Sequence, residues 1–384
     1  MPVSTPRRPR KDQNTMPFYP RPCAAPLRAL RAVPAILVAA AGLLSCAAMA
    51  SADPFSAAPE IDMPQVRFNH LDWELACDNT RTCRAAGYQA DDGDNPPVSV
   101  LLQRKAGPGE PIVAELRLGD ADDTALQPPL LAMRIDGRSL GTVVMERTEP
   151  SSTLSRTQAA ALVKAVAGSG RVTWQGAGQT WTLSSRGAAA VLLKMDEFQG
   201  RLGTRGAAIR KGTRPDDEVL PPLPALAVKP ARVPHGEVRP LGRDAERRLL
   251  ATLRKSAGSQ ECADLAQIAS GENAFFFAPL ARDKMLVGAR CWRGAYNEGY
   301  GYWVVSSSAP FTAALVTLLG SDYENGVIQA IHRGRGIGDC YASDTWVWDG
   351  KRFVHAESLT TGMCRGITAG GAWVLPTIVS DVKR

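Results

Sequence analysis

The sequence predicts an α+β architecture: an N-terminal mixed α+β domain, a proline-rich linker and a C-terminal, mainly antiparallel β domain, all stapled by disulfides. Three observations carry this reading. Six cysteines follow the leader as three pairs along the chain, Cys77/Cys83, Cys262/Cys291 and Cys340/Cys364. An even count downstream of an export signal reads as a disulfide framework in an oxidising compartment. Residues 212–240 carry seven prolines (Pro215, Pro221, Pro222, Pro224, Pro230, Pro234, Pro240) and few periodic apolar positions, which favours extended, semi-rigid chain. Helix and strand signals mix before that stretch, and strand signals prevail after it. The divisions are a signal peptide at 1–50, a first domain at 66–205, a linker at 206–240 and a second domain at 241–380.

In the first domain, 71–77 (LDWELAC) and 83–89 (CRAAGYQ) flank the turn-rich Asp78–Thr82 as a hairpin whose mouth Cys77 and Cys83 would close. Strands are expected at 98–103 and 111–118, then a hairpin at 131–146 turning on Asp136-Gly137. Ser155 with Gln158 three residues on is a capping box, and Gly168 ends that helix. A hairpin at 171–184 and a helix at 186–199 follow, the helix aligning Ala188, Val191, Leu192, Met195 and Phe198 on one face. The second domain opens with an amphipathic helix at 243–256. Strands follow at 273–280, 284–292, 300–307, 313–319, 326–333, 344–349 and 351–358. A two-residue turn at Asp349-Gly350 would set Trp348 opposite Lys351, Trp346 opposite Phe353 and Asp344 opposite His355.

Residues 29–50 form a short apolar run behind Arg28 and Arg31, broken by Pro34 and ending in Ala48-Met49-Ala50. This reads as an export signal cleaved after Ala50, since a membrane span needs roughly 20 uninterrupted apolar residues. Met16 offers an alternative start to Met1. Leu43-Leu44-Ser45-Cys46 also reads as a lipobox, in which Cys46 would carry a lipid anchor, although Leu44 sits where such boxes carry a small residue. Most of the net charge of +7 belongs to the leader. Residues 1–50 hold seven basic residues (Arg7, Arg8, Arg10, Lys11, Arg21, Arg28, Arg31) against Asp12, leaving 38 basic and 37 acidic residues, about +1. That balance argues against nucleic acid as a partner. No later segment is apolar enough to span a membrane.

Several groups invite a functional reading. Trp346, Trp348 and Phe353 make an aromatic ribbon that would stack on sugars or clamp a peptide if exposed, and would supply burial energy if it faces a core. Asp344 opposite His355 has the form of an oriented base, yet no G-x-S-x-G elbow or other nucleophile accompanies it, so no catalytic residue is assigned. Residues 332–340 (HRGRGIGDC) interleave Arg333 and Arg335 with glycines. They suit either an anion nest or a tight turn that lets Cys340 reach its partner. His70, His235, His332 and His355 lack metal-ligand spacing, and no metal or other cofactor is inferred. The closest cysteine spacing is C-x5-C, unlike redox C-x-x-C motifs. With Cys77 and Cys83 set apart by the linker, three connectivities remain for the other four cysteines, and nearest-neighbour pairing is favoured.

The segments WELACDNTRTCRAAGY (73–88), LSSRGAAAVLLKMDEFQGRLGT (183–204), CWRGAYNEGYGYW (291–303), GRGIGDC (334–340), WVWDGKRF (346–353) and CRGITAGGAWVLP (364–376) together resemble the family catalogued as domain of unknown function 1176. The resemblance runs in order over about 66–380 and includes all six cysteines. It implies an exported bacterial protein of the periplasm with three bridges, and it implies no activity, substrate or cofactor. The function expected is a non-catalytic binding or accessory module of the cell envelope, its partner an unidentified envelope component. The alternative is an envelope hydrolase acting on peptidoglycan or polysaccharide, with Asp344 and His355 at its cleft.

Overall fold

Two runs of antiparallel strand, each with its own helices, make up the described residues of this computed structural model: 63–119, 130–145, 151–236, 238, 241–257, 261–268 and 274–383. The leader, with Cys46 and the cleavage site at Ala50, lies outside them. Strands far outweigh helices, so the fold is mainly β and disulfide-linked. No helix among the described residues is long and apolar enough to cross a membrane.

In the N-terminal part, β1 (Val66–His70), β2 (Trp73–Cys77), β3 (Cys83–Tyr88), β4 (Val98–Arg104) and β5 (Ile112–Leu118) form an antiparallel meander. A second sheet starts with β6 (Leu130–Ile135) and β7 (Arg138–Val144), whose turn residues Asp136 and Gly137 both have positive φ, as the tight primed turn requires. The two-residue β8 (Ser152–Thr153) returns to the outer edge of β5. Helix α1 (Arg156–Ala167) begins at the capping box: the Gln158 amide donates to Ser155 Oγ and the Ser155 amide to Gln158 Oε1. Strands β9 (Val172–Gly176) and β10 (Gln179–Leu183) complete the second sheet in the order β10-β9-β6-β7, and α2 (Ala188–Phe198) follows.

Alternation assigns the two faces of the first sheet. Trp73, Leu75, Ala85, Val100, Leu102, Ala114 and Leu116 point inward, and with α1, α2 and the second sheet they form one continuous core. Arg67, Glu74, Ala76, Arg84, Ala86, Tyr88, Ser99, Leu101, Gln103, Glu115 and Arg117 fall on the other face. The middle of that second face is covered as well, which is why β2, β3 and β4 are buried almost throughout.

The segment after this part is tied to the body at several points. The Leu220 amide donates to the Gln199 carbonyl, the Leu223 amide to Thr80 and the Ala231 amide to Trp348. Within it, β11 (Leu226–Val228) pairs in parallel with a strand at the C-terminus, Ser380–Val382. The prolines here keep the chain extended while it crosses from one run of strands to the other.

Helix α3 (Arg243–Ala257) buries Leu249, Leu250, Leu253 and Ala257, and the short α4 (Ala263–Gln267) buries Leu265. They cover one face of a four-stranded meander: β12 (Phe275–Pro279), β13 (Lys284–Arg293), β14 (Glu298–Ser306) and β15 (Ala313–Gly320). Strands β16 (Asp322–Glu324), β17 (Val327–Arg333), β18 (Tyr341–Trp348), β19 (Phe353–Thr360) and β20 (Leu375–Ile378) form a five-stranded sheet, and β21 (Ser380–Val382) is the partner of β11. The two sheets sandwich a second core of Leu286, Tyr302, Val304, Ile328, Ala330, Trp346, Trp348 and Phe353. The sequence did not reveal β1, β8, β11, α4, β16, β20 and β21, which are short or lack clean alternation; β11 lies within the stretch expected to be linker.

Three disulfides join nearest neighbours. Cys77–Cys83 closes a hairpin, Cys262–Cys291 ties α4 to β13, and Cys340–Cys364 ties the start of β18 to the segment beyond β19.

Candidate functional site

The aromatic ribbon is core. Trp346 and Phe353 are each 9% exposed and Trp348 is 1% exposed, so these three side chains offer no stacking surface. The turn register also differs from the sequence expectation. Residues 349–352 form a four-residue connection in which Asp349 Oδ1 accepts from the Lys351 and Arg352 amides. The extra residues shift the pairing, so Trp348 faces Phe353 and Trp346 faces His355, while a bulge moves Asp344 opposite Ser358. The Asp349 side chain closes the wider loop, a local preference that the two-residue turn rule does not weigh.

Asp344 and His355 nevertheless meet. His355 Nε2 lies 2.8 Å from Asp344 Oδ1, and the imidazole stacks on Trp346 with ring centres 4.7 Å apart. Burial pushes the Asp344 carboxyl up, but hydrogen bonds from His355 and Ser358 outweigh it and hold the group below the ordinary carboxylate range. Arg67 on β1 lies within electrostatic reach of both Asp344 and Glu74. Glu74 Oε1 accepts from Tyr88 Oη at 2.6 Å and from the Met363 amide at 2.6 Å. Burial is the stronger influence there and raises the Glu74 carboxyl.

The glycine-rich loop serves the adjacent bridge. A Cβ on Gly334 would collide with both sulfurs of Cys340–Cys364, so glycine is required for the chain to pass them. Arg335 is committed to Asp339, with Nε and Nη2 at 2.6 and 2.5 Å from its carboxylate oxygens. Arg333 is positioned through its backbone, whose amide donates to Asn297 Oδ1. The two arginines therefore do not converge on a shared anion nest. Asp339 lies near both Cys340 and Cys364, but the sulfurs are bonded to each other, which leaves no thiolate for a metal.

Two concave surfaces among the described residues have room for a ligand: one of about 570 Å³ beside α4, β12 and β13, lined by Asp264, Phe276, Arg290 and Tyr300, and one that gathers side chains from both parts of the chain. Residues 361–376 run across the second face of the first sheet and press Met363, Ile367, Ala372, Trp373 and Leu375 onto Ala76, Ala86, Tyr88 and Leu101. Polar contacts pin this arm. Arg365 Nη2 donates to Asp72 at 3.0 Å, Gln89 Nε2 donates to the Arg365 carbonyl, and Trp373 Nε1 donates to Ser99 Oγ at 2.7 Å. The arm covers the middle of the sheet face and stops short of its β5 side. A groove of about 440 Å³ is left there, lined by Arg84, Gln103, Glu115 and Arg117 from the sheet and by Thr361, Gly370, Gly371, Trp373, Val374 and Pro376 from the arm.

Groups of both signs occupy that groove. Arg84 Nη1 sits 2.7 Å from Asp78 Oδ2. The Arg117 guanidinium lies over the Trp373 ring at 4.9 Å, and its Nη1 donates to the Gly371 carbonyl. Glu115 Oε2 accepts from Ser151 Oγ. Reading of the sequence missed Arg84, Gln103, Glu115, Arg117 and Trp373. The signal was present as charged residues at alternate positions of β5 (VAELRL). Alternation alone, however, marks such residues as solvent-facing and does not indicate what lies across from them.

Comparison with known proteins agrees with the extent of this structure. The family described as "Protein of unknown function (DUF1176)" matches residues 67–380. The chain is 27% identical over 333 residues to the uncharacterized protein YpfG of Escherichia coli (strain K12), spanning 80% of this chain and 90% of that protein. No solved structure matches.

Proposed function

The chain belongs to the DUF1176 family, and on that premise we propose that it is an exported periplasmic protein acting as a non-catalytic binding module of the cell envelope. The observation that carries this is the groove between β3–β5 and the 361–376 arm, which gathers side chains from both parts of the chain around an apolar floor. Binding sites have this composition, mostly apolar walls with a few placed polar groups. The three disulfides support an oxidising compartment, and the apolar run at 29–50 supports export with cleavage after Ala50. Two domains joined at 206–240 remain part of this proposal, with the arm as their shared seam.

The competing reading, an envelope hydrolase, rests on the Asp344–His355 pair and on Glu74, whose carboxyl is raised while that of Asp344 is lowered. One comparison separates the two. Immobilised protein is challenged with solubilised envelope material, using wild type, Gln103→Ala/Glu115→Ala and His355→Ala. The binding module predicts retention that the groove variant loses and His355→Ala keeps, with the retained material chemically unchanged. Release of cleaved product that depends on His355 overturns it.

A further inference from the structure

Resting on the binding-module reading, we infer that the ligand of the groove is a neutral oligosaccharide. The first argument is charge. Each positive group lining the groove has a negative one beside it: Arg84 is paired with Asp78, and Arg117 lies two residues from Glu115 on the same face of β5. A groove selecting a polyanion would leave guanidinium groups in excess. The chain after residue 50, at about +1, has no such excess either.

The second argument is the kind of hydrogen-bonding groups. Arg84 and Gln103 are direct cross-strand partners on β3 and β4, while Glu115 and Arg117 lie two residues apart along β5, opposite Leu101 and Ser99. This face therefore presents guanidinium donors, an amide that both donates and accepts, and a carboxylate acceptor, spread over three neighbouring strands. Hydroxyl groups both donate and accept, so a sugar ring matches such a mixed set whichever way its hydroxyls turn.

The third argument concerns the backbone. A peptide recognised by strand addition needs an open sheet edge. Here the groove lies on the face of β3–β5, with β3 and β4 paired on both sides. Side chains, not main-chain groups, must therefore supply most of the recognition.

The test is titration of the purified protein with a tetramer of N-acetylglucosamine and, separately, with the tetrapeptide Ala-Glu-Lys-Ala. Amide chemical shifts and the indole N–H shift of Trp373 are followed in wild type, Glu115→Gln and Gln103→Ala. The inference expects saturable sugar-induced shifts confined to β4, β5 and 370–374, with affinity weakened about tenfold or more in each variant at unchanged thermal midpoint. Binding of the tetrapeptide alone at these positions overturns the sugar assignment and leaves the groove as a binding site. No response to either compound also overturns it, and the envelope-retention comparison then decides the binding-module reading independently. Sugar binding that is indifferent to both substitutions overturns the location.

Discussion

The two parts of the chain hold themselves together differently. From β1 to α2, one core joins both sheets and both helices without interruption, from Trp73 and Leu116 to Met133, Trp174 and Leu192. The single bridge there, Cys77–Cys83, spans six residues across the mouth of a hairpin. From α3 onward the apolar residues divide into smaller clusters, under α3, between the two sheets and beneath β11. Two bridges spanning 29 and 24 residues reinforce that part. Cross-links restrict the unfolded chain more as the loop lengthens: about 2.4 kcal/mol for the short loop and about 3.5 for each longer one on the chain-entropy model. The longer bridges thus sit where apolar burial is most divided. Domain stabilities of about 5–15 kcal/mol make those contributions decisive.

Breaking this contrast begins with the bridges. Replacing Cys262, Cys291, Cys340 and Cys364 with alanine is expected to remove about 7 kcal/mol. Amides of β13–β19 should then lose hydrogen-exchange protection while those of β2–β5 keep theirs. Equal loss in both parts would show that they fold as one unit.

The seam comes next. Arg365 has 9% and Asp72 4% of the side chain exposed, and breaking a buried pair by removing one partner costs about 3–5 kcal/mol. Arg365→Met is therefore expected to separate one denaturant transition into two, read by circular dichroism and tryptophan fluorescence. A single unchanged transition would show that the apolar contacts of the arm suffice. A smaller effect, about 2.4 kcal/mol, is expected for Cys77→Ala/Cys83→Ala, measured as a lower midpoint in urea.

The smallest effects are those of pH, and they carry opposite signs. Asp339 is pushed up by burial, but the bonds from Arg335 and the Gly366 amide outweigh this and hold its carboxyl low. Its contribution is present above the ordinary carboxylate value and is lost as pH falls through the depressed one. Glu74 is raised by burial, so its contribution is present below the ordinary value and is lost as pH rises through the raised one. Asp339→Asn should flatten the acid limb of the thermal midpoint against pH. Glu74→Gln should flatten the limb toward neutral pH and raise the midpoint there. Identical profiles for both variants and wild type would remove these groups from the pH response.

Much of the local structure was legible in the residues. Ser155 and Gln158 mark the start of α1, Asp136-Gly137 marks its hairpin, and alternation marks β5, because each signal is satisfied within a few residues of chain. The Asp349 turn shows where that legibility ends. A dipeptide suggested a two-residue loop, and the side chain of Asp349 closed a four-residue one, changing every partner of Trp346 and Trp348. The groove was less legible still. Arg84, Gln103, Glu115 and Arg117 look like solvent-facing residues until the arm at 361–376 is placed above them.

Read alone, the residues determined the closed Cys77–Cys83 hairpin, the order of the longer helices and strands and the absence of a basic excess beyond the leader, because these depend on composition and short-range spacing; which of three pairings the other four cysteines take was decided by the tertiary structure. Only the tertiary structure decided that Trp346 and Trp348 are buried, that Asp344 meets His355 across a bulge, and that a groove opens beside Trp373. Those outcomes depend on which sheet faces lie against each other. Packing between segments some 250 to 290 residues apart, such as Asp72 and Arg365, leaves no periodic trace in either segment.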